Sequence, residues 1–358
     1  MVLMMIFAEM WYTVADATSM DVIIDSINTY LIQTITMFRF WNMAYHKSVY
    51  KKLAKATIES PYFDISTKSR SALLRYWVKK NESYLKLLLL IGNLTLACWF
   101  LYPLLDDLEY NLFITIHTPF FYKSRFRYVL TYIVFWITFY YISNFIMAND
   151  IMMQAHLLHL ACQLEVLSDC IKNTVKECQV QFQGEPIEKL IQNNQFVDVY
   201  LKRLGDIVNQ HRFILRNIGE LSVTLSTPML GQLMCSGILI AFIGYQATTT
   251  FTENLTLGVK SCLYLSYNLA EFYVICRWCE EITNQTQAVG EAAYFSSWEY
   301  GLTKHPSVKS NLMLIIARAN KPVIFTAGGM YNLTLESYTK LVKTSYSALT
   351  VLLRFRKS

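Results

Sequence analysis

The sequence predicts an all-α membrane protein: a bundle of seven membrane-spanning helices with the amino terminus inside and the carboxyl terminus outside. Three observations predict it. Of 358 residues, 54% are apolar and only 16% are charged, whereas a soluble chain usually carries about 25% charged residues. The charges are clustered and leave long apolar runs, several of them near the roughly 20 residues that a helix needs to cross a hydrocarbon core. The basic residues are also shared unevenly between the segments that join those runs, as the positive-inside rule requires.

The first residues, Met1 to Tyr12, are apolar, with no basic flank before them and no obvious small-residue cleavage site. They read as the tail of a first span, hence a truncated first helix, rather than as a secretory signal. Spans follow at about 20–43, 85–104, 127–147, 222–248 and 257–277, with a final span at about 306–354 that is broken into two parts. The second span is interrupted by Asp21, Asp25, Asn28 and Gln33, and a polar helix of that kind faces a cavity or other helices.

Between His46 and Lys86 there are ten Lys or Arg against three Asp or Glu, whereas Pro103 to Arg127 holds three of each. The first loop belongs inside and the second outside. Alternation then places 148–220 inside, 249–256 outside, 278–305 inside and the C-terminus outside. The sequon Asn254-Leu-Thr256 falls in an outer loop, which marks Asn254 as a glycosylation candidate. Residues 148–220 read as helical, with Leu157, Leu160, Leu164, Leu167 and Ile171 at helical spacing and a break at Gly184-Glu-Pro186. The second stretch, 195–220, runs on into the span at 222–248 with only Pro228 to bend it. Projecting helices with an apolar stripe pack on one another or on neighbouring subunits.

No nucleophile elbow, P-loop, dinucleotide fingerprint or zincin motif occurs, so nothing supports an enzyme. The net charge of +6 comes without an RNA-binding or zinc-knuckle signature, and nucleic acid is not an expected partner. His156-Leu-Leu-His159 puts two imidazoles on one face but lacks a third ligand at convincing spacing. Cys276-Arg-Trp-Cys279 has no second pair at zinc-finger distance, so the eight cysteines read as packed or idle thiols. Neither a metal nor a cofactor is predicted.

Aromatic residues gather in the outer halves of the spans. The second span offers Ile27, Tyr30 and Leu31; the third Gly92, Thr95 and Trp99; the fourth Tyr132, Phe135, Trp136, Phe139 and Tyr140; the sixth Tyr264 and Tyr267. Converging faces of this kind form a small apolar cavity with a few hydroxyls, suited to a small apolar ligand. The same pattern also fits ordinary helix packing with interfacial aromatics. In the last helix, Glu336, Lys340, Lys343, Ser347, Thr350 and Arg354 trace one polar stripe, opposite Leu335, Tyr338, Val342, Leu349 and Leu352. A row of charges in a spanning helix calls for water, and Val351 within it is placed as an apolar gate. The alternative is a polar side that packs on protein.

The C-terminal motifs carry a resemblance. Ala293-Tyr-x-Ser-x-Trp298, Arg318-x-x-Lys-Pro322, Thr326-Ala-Gly328 and Lys343-Thr-Ser-Tyr-Ser347 resemble the signature of insect odorant receptors. The match is specific over the last 70 or so residues and loose elsewhere, where span order carries it. The Gln-Phe ending of the related gustatory receptors is missing after Thr344-Ser-Tyr346. The resemblance implies a single channel-subunit domain over 1–358 that binds a small volatile organic ligand and gates a non-selective cation channel. It implies a heterotetramer with a shared odorant co-receptor, in the plasma membrane of olfactory dendrites. It further implies an outer-half ligand pocket, a cytoplasmic anchor from about 148–220, 278–305 and 306–340, and a pore helix at about 331–355. By position, Val351 matches the gate, Arg354 a pore-mouth residue, and Trp99, Tyr264 and Tyr267 pocket-facing residues. Arg354 departs from what a cation pore expects, and walls shared with other subunits accommodate it. A gustatory-type subunit working alone and a non-conducting membrane protein stand as alternatives.

Overall fold

The computed structural model describes residues 2–15, 20–58, 63–105, 109–114, 121–182, 185–251, 254–300, 302 and 305–357. Parts of the predicted outer loop at 103–127, part of the loop at 249–256, and Gly184 of the predicted break lie outside them. The described elements are α1 (Val2–Ala15), α2 (Met20–Tyr45), α3 (Lys47–Ile58), α4 (Lys68–Leu105), α5 (Arg125–Val180), α6 (Ile187–Leu190), α7 (Asn194–Thr250), α8 (Leu255–Tyr294), a 3-10 turn (Trp298–Tyr300), α9 (Pro306–Ala319), β1 (Thr326–Ala327), β2 (Tyr331–Asn332) and α10 (Leu335–Lys357). The fold is an all-α bundle of membrane type, as the composition predicts. By length and apolarity, α4, α5 and α7 are each able to cross a membrane.

The predicted spans at 85–104, 127–147, 222–248 and 257–277 are segments of longer helices, whereas the span at 20–43 fills nearly all of α2. The span at 127–147 and the helical stretch after it form one 56-residue helix, α5, and α7 runs for 57 residues straight through Pro228. The helix ends follow local chemistry. Asn193 caps α7, its side-chain oxygen accepting from Gln195 N at 2.9 Å. Asn254, the predicted glycosylation site, caps α8 by accepting from Thr256 N at 3.0 Å and Leu257 N at 3.3 Å.

The C-terminal motifs close and join helices. Ser296 Oγ and Trp298 Nε1 donate to Ala293 and Tyr294 carbonyls at 2.7 and 2.6 Å, finishing α8. Arg318 donates to the Lys321 carbonyl at 2.7 Å at the end of α9, just before Pro322. The break in the last span is then a β-hairpin, with Thr326 opposite Asn332 and Ala327 opposite Tyr331. Its turn uses Gly328 and Gly329 at φ +60° and +72°, backbone that glycine adopts without strain. Gly328 also donates to the Ser226 carbonyl of α7 at 2.8 Å, so close that a Cβ there would sit 2.5 Å from Leu230. Glu280 of α8 accepts from Leu335 N at 2.7 Å and starts α10, a favourable place for a carboxylate.

The main core lies at the predicted inner end. There α5 contributes Leu157, Leu160, Leu164, Leu167 and Ile171, packed with residues of α7, α8 and α9 such as Ile214, Ile218, Trp278, Ile282, Val289 and Ile315. A smaller, aromatic core forms around Trp99, Phe113 and Phe139 toward the other end of α4 and α5. All eight cysteines are free thiols, as the spacing suggests.

A charged cluster pins the loop between α3 and α4 to the inner core. The buried Arg70 guanidinium donates to Asp64 at 2.7 Å, to Asp169 at 2.9 Å and to Glu177, while Arg203 also holds Asp64 at 2.7 Å. Burial pushes the Asp64 carboxyl up, but hydrogen bonds from Ser66 and Arg203 and the Arg70 charge outweigh it and hold it at about 2. A depressed carboxyl stabilises the fold fully above its unfolded value near 4, and this contribution is lost as pH falls toward 2. Arg70→Met is expected to lower stability by about 3 kcal/mol at neutral pH, read as a fall in the thermal midpoint of the detergent-solubilised protein. The deficit should shrink between pH 5 and pH 2, because protonation of Asp64 erases part of the wild-type advantage.

Candidate functional site

A partly open gap of ≈ 70 Å³ lies where the aromatic core meets the middle of the bundle, lined by Ile32 of α2, Gly92, Thr95, Leu96 and Trp99 of α4, Phe139, Ser143, Ile146 and Met147 of α5, and Tyr264 and Tyr267 of α8. Helical spacing explains the convergence: positions three and four apart on each helix share a face. Trp99 stacks on Phe139 with centroids 4.9 Å apart and meets the edge of Tyr264 at 6.0 Å. Aromatic pairs of this geometry contribute about 0.5–1.5 kcal/mol each beyond their burial. Gly92 leaves the space: a Cβ there would lie 2.8 Å from Met147 Sδ and 3.1 Å from Tyr267. Thr95 donates its hydroxyl to its own helix at Ile91 O, 2.8 Å away.

Of the ligand-binding residues read from sequence, Thr95, Trp99, Phe139, Tyr264 and Tyr267 line this gap. Four do not. Ile27 and Tyr30 are half-buried elsewhere on α2, which turns Ile32 inward instead. Phe135 sits one turn beyond Phe139 and packs against the aromatic core. Trp136 points away, 41% exposed, against Phe100 and Tyr140. Ile32, Leu96, Ser143, Ile146 and Met147 escape a search for aromatic clusters because they are small or aliphatic.

Beneath the gap lies a buried ion network that the sequence reading does not contain. Arg39 of α2 donates to Asp150 of α5 at 2.8 Å, to Glu271 of α8 at 2.8 Å, and to Gln232 of α7. Gln232 in turn donates to Glu271 at 3.1 Å and to Ser236 at 3.0 Å. All three charged side chains are 5% exposed or less. The Tyr267 hydroxyl, on the wall of the gap, donates to Asp150 at 3.3 Å and so joins the two features. The available signal was the presence of Arg39 and Glu271 within predicted spans, since an ionisable residue at that depth marks a functional or pairing site.

Past Gln232 on the same helix, α7 receives α10. Leu341 and Ser345 pack at Gly237, where the Ser345 hydroxyl donates to the Gly237 carbonyl at 2.9 Å, and Leu349 packs at Gly244. The packed face of α10 therefore includes Leu341 and Ser345, where the sequence reading expected Val342. Lys343, Ser347, Val351 and Arg354, the predicted pore residues, all lie on the exposed face, with Val351 48% exposed. Among the described residues, no three His, Cys, Asp or Glu side chains group to hold a metal. Burial pushes the His159 imidazole down to about 4, with His156 adding to the shift, and His159 packs beside Phe63.

Removing Arg39 strands two buried carboxylates. Arg39→Met is expected to cost about 3–5 kcal/mol, seen as loss of the monodisperse solubilised protein. Adding Asp150→Asn and Glu271→Gln to that variant should restore most of the yield, because the cost is uncompensated charge and not lost volume.

Comparison with known proteins places this arrangement. The 7tm odorant receptor family model matches residues 19–346. Odorant receptor 22b of Drosophila melanogaster is 26% identical over 158 residues, 44% of this chain and 38% of that protein. Odorant receptor 13a of the same fly is 28% identical over 166 residues, 43% of this chain and 39% of that protein. The matched part thus spans well under half the length of these relatives. The structure of the olfactory receptor OR5 from Machilis hrabei in complex with eugenol superposes with a TM-score of 0.83 at 14% identity, covering 99% of this chain and 87% of that one. A second structure of the same receptor superposes with a TM-score of 0.80 at 14% identity, over 99% of this chain and 86% of that one. With nearly its whole length matched, the chain belongs to the 7tm odorant receptor family.

Proposed function

We propose that this chain is the odorant-specific subunit of a ligand-gated, non-selective cation channel, working in a heterotetramer with a shared odorant co-receptor in the plasma membrane of olfactory dendrites. The observation that carries this reading is the continuous path from the aromatic gap through the Tyr267–Asp150 hydrogen bond and the Arg39 network to α7, the helix that seats α10. A small volatile ligand is the natural occupant of the gap, whose wall is almost wholly apolar. At ≈ 70 Å³ it is small beside the roughly 300–1,000 Å³ of pockets that hold drug-sized ligands. Binding therefore moves side chains, and the ones that yield are the flexible Met147 and the rings of Trp99 and Tyr267. A ligand that binds better when these rings have moved shifts the balance toward the state they favour.

The exposed polar row of α10 serves as this subunit's share of the pore wall. Lys343, Ser347 and Arg354 are the wet residues and Val351 is the apolar gate. Arg354 is tolerated where co-receptor subunits supply the remaining walls. The orientation follows from the loop charges, with the main core inside and α10 ending outside. Asn254, which caps α8, lies at the outer end and is the expected glycan acceptor.

Recording odour-evoked current with and without the co-receptor tests the reading. Current that requires both chains supports it; evoked current from this chain alone favours the gustatory-type alternative, and none in either condition with both chains at the surface favours a non-conducting protein. In the conducting heteromer, Val351→Ser should raise ligand-free leak, since a polar residue hydrates the constriction. Tyr267→Phe should lower the maximal evoked current about fivefold, the worth of one hydrogen bond in a gating equilibrium, while surface expression stays level.

A further inference from the structure

Two buried polar groups beside the gap make no hydrogen bond. The Lys260 ammonium and the Tyr264 hydroxyl are both shielded from solvent and without a hydrogen-bond partner. They lie four residues apart on one face of α8, the face that continues through Tyr267 to Glu271. Trp99, on the wall of the gap, touches both: Lys260 Nζ sits 4.7 Å above its ring, and the Tyr264 ring meets it edge-on at 6.0 Å. Lys260 Nζ is also 4.4 Å from the Tyr102 ring centre. A buried ammonium and phenol left without acceptors are unfavourable, and a molecule that supplies an acceptor recovers that free energy.

Resting on the ligand-gated reading above, we propose that Lys260 and Tyr264 form the polar end of the ligand site and select neutral, mostly apolar molecules that carry a carbonyl oxygen. The gap is small as it stands, and Trp99 forms part of its wall. Displacing the Trp99 ring adds the missing volume and opens the way to the Lys260 ammonium. Lysine offers donors only and the Tyr264 hydroxyl lacks an acceptor, so the matching ligand group is an acceptor. Of the other polar groups on the wall, Thr95 donates to Ile91 O and Tyr267 to Asp150, and the Ser143 hydroxyl lies on the α5 side.

The charge of the ligand is set by Asp25. Its carboxylate lies 3.8 Å from Lys260 Nζ, close enough to neutralise it but too far to hydrogen-bond. The same oxygen accepts from Gln246 at 3.0 Å, which holds Asp25 where it is. A carboxylate ligand would leave this buried trio with a net negative charge, whereas a ketone, aldehyde or ester leaves it neutral.

Three probes of one shape separate the possibilities: methyl pentyl ketone, the hydrocarbon in which a methylene group replaces its carbonyl oxygen, and hexanoate. Each is applied to the full chain expressed with the co-receptor. The expected result is a half-maximal concentration about tenfold lower for the ketone than for the hydrocarbon, with hexanoate the weakest. Lys260→Met should narrow the ketone-to-hydrocarbon ratio to within about twofold. Tyr264→Phe, which removes one hydroxyl and no charge, should narrow it part of the way, and it serves as the test if Lys260→Met fails to reach the surface. Evoked currents with an unchanged ratio in Tyr264→Phe and in any surface-expressed Lys260→Met, or a preference for hexanoate in wild type, overturn the assignment and leave the channel reading intact. No evoked current from any probe or from a broad odorant panel, with both chains at the surface, overturns both.

Discussion

The arrangement of the bundle turns on one guanidinium. Arg39 reaches Asp150, Glu271 and Gln232, and these four side chains belong to four different helices, α2, α5, α8 and α7. In water such contacts are nearly interchangeable with solvent. In an apolar interior they are not, because a buried charge separated from its partners has no alternative. Two carboxylates face a single cation, so the network has no slack: any helix that shifts must carry its partner with it or leave a charge stranded. That constraint adds a polar lock on the relative heights of the four helices to the one that close packing provides.

The same constraint gives the aromatic gap its reach. A gap among Trp99, Phe139 and Met147 alone would be a local packing feature. Tyr267 changes this, because its ring forms part of the wall while its hydroxyl donates to Asp150. Gln232 then places α7 in the network, one turn before the Gly237 seat of Ser345. Close seating at Gly237 and Gly244 matters because neither position has a side chain to cushion a shift, and a displaced α7 moves α10 directly. The main core reaches up to this path, with Met153, Met229 and Phe272 beside the network and Leu341 of α10 packed against it.

Much of this was legible in the sequence, and the limits have physical causes. The helical class, the order of spans and the stripe from Leu157 to Ile171 follow from composition and periodicity, which record burial directly. Helix lengths were less legible: α5 and α7 pass from a membrane-like segment into a polar one without interruption, and hydropathy changes there while backbone structure does not. Five of nine predicted cavity residues line the gap because aromatic residues at helical spacing mark a face. Trp136 fails because an aromatic residue is equally at home facing lipid. The ion network was missed because Arg39, Gln232 and Glu271 look like isolated interruptions of their spans and Asp150 falls just past the end of its own, and only the fold shows that they meet.

The polar interruptions of α2 divide into two groups that behave differently. Arg39 uses both terminal nitrogens in the inner network, and Gln33 donates to Glu9 of α1 at 2.8 Å. Toward the other end, Asn28 donates to Gln246 at 3.0 Å and Gln246 donates to Asp25, yet Lys260 stays just beyond hydrogen-bond range of Asp25. The first group closes on side chains of other helices and serves the fold. The second leaves donors over, beside a ring that must move before any ligand fits. Structural polar groups in an apolar bundle gain from being saturated, whereas a recognition site depends on groups that are not. On the proposed reading the outer end of α2 and α8 meets the ligand, and the charged network at the inner end ties that event to the neighbouring helices.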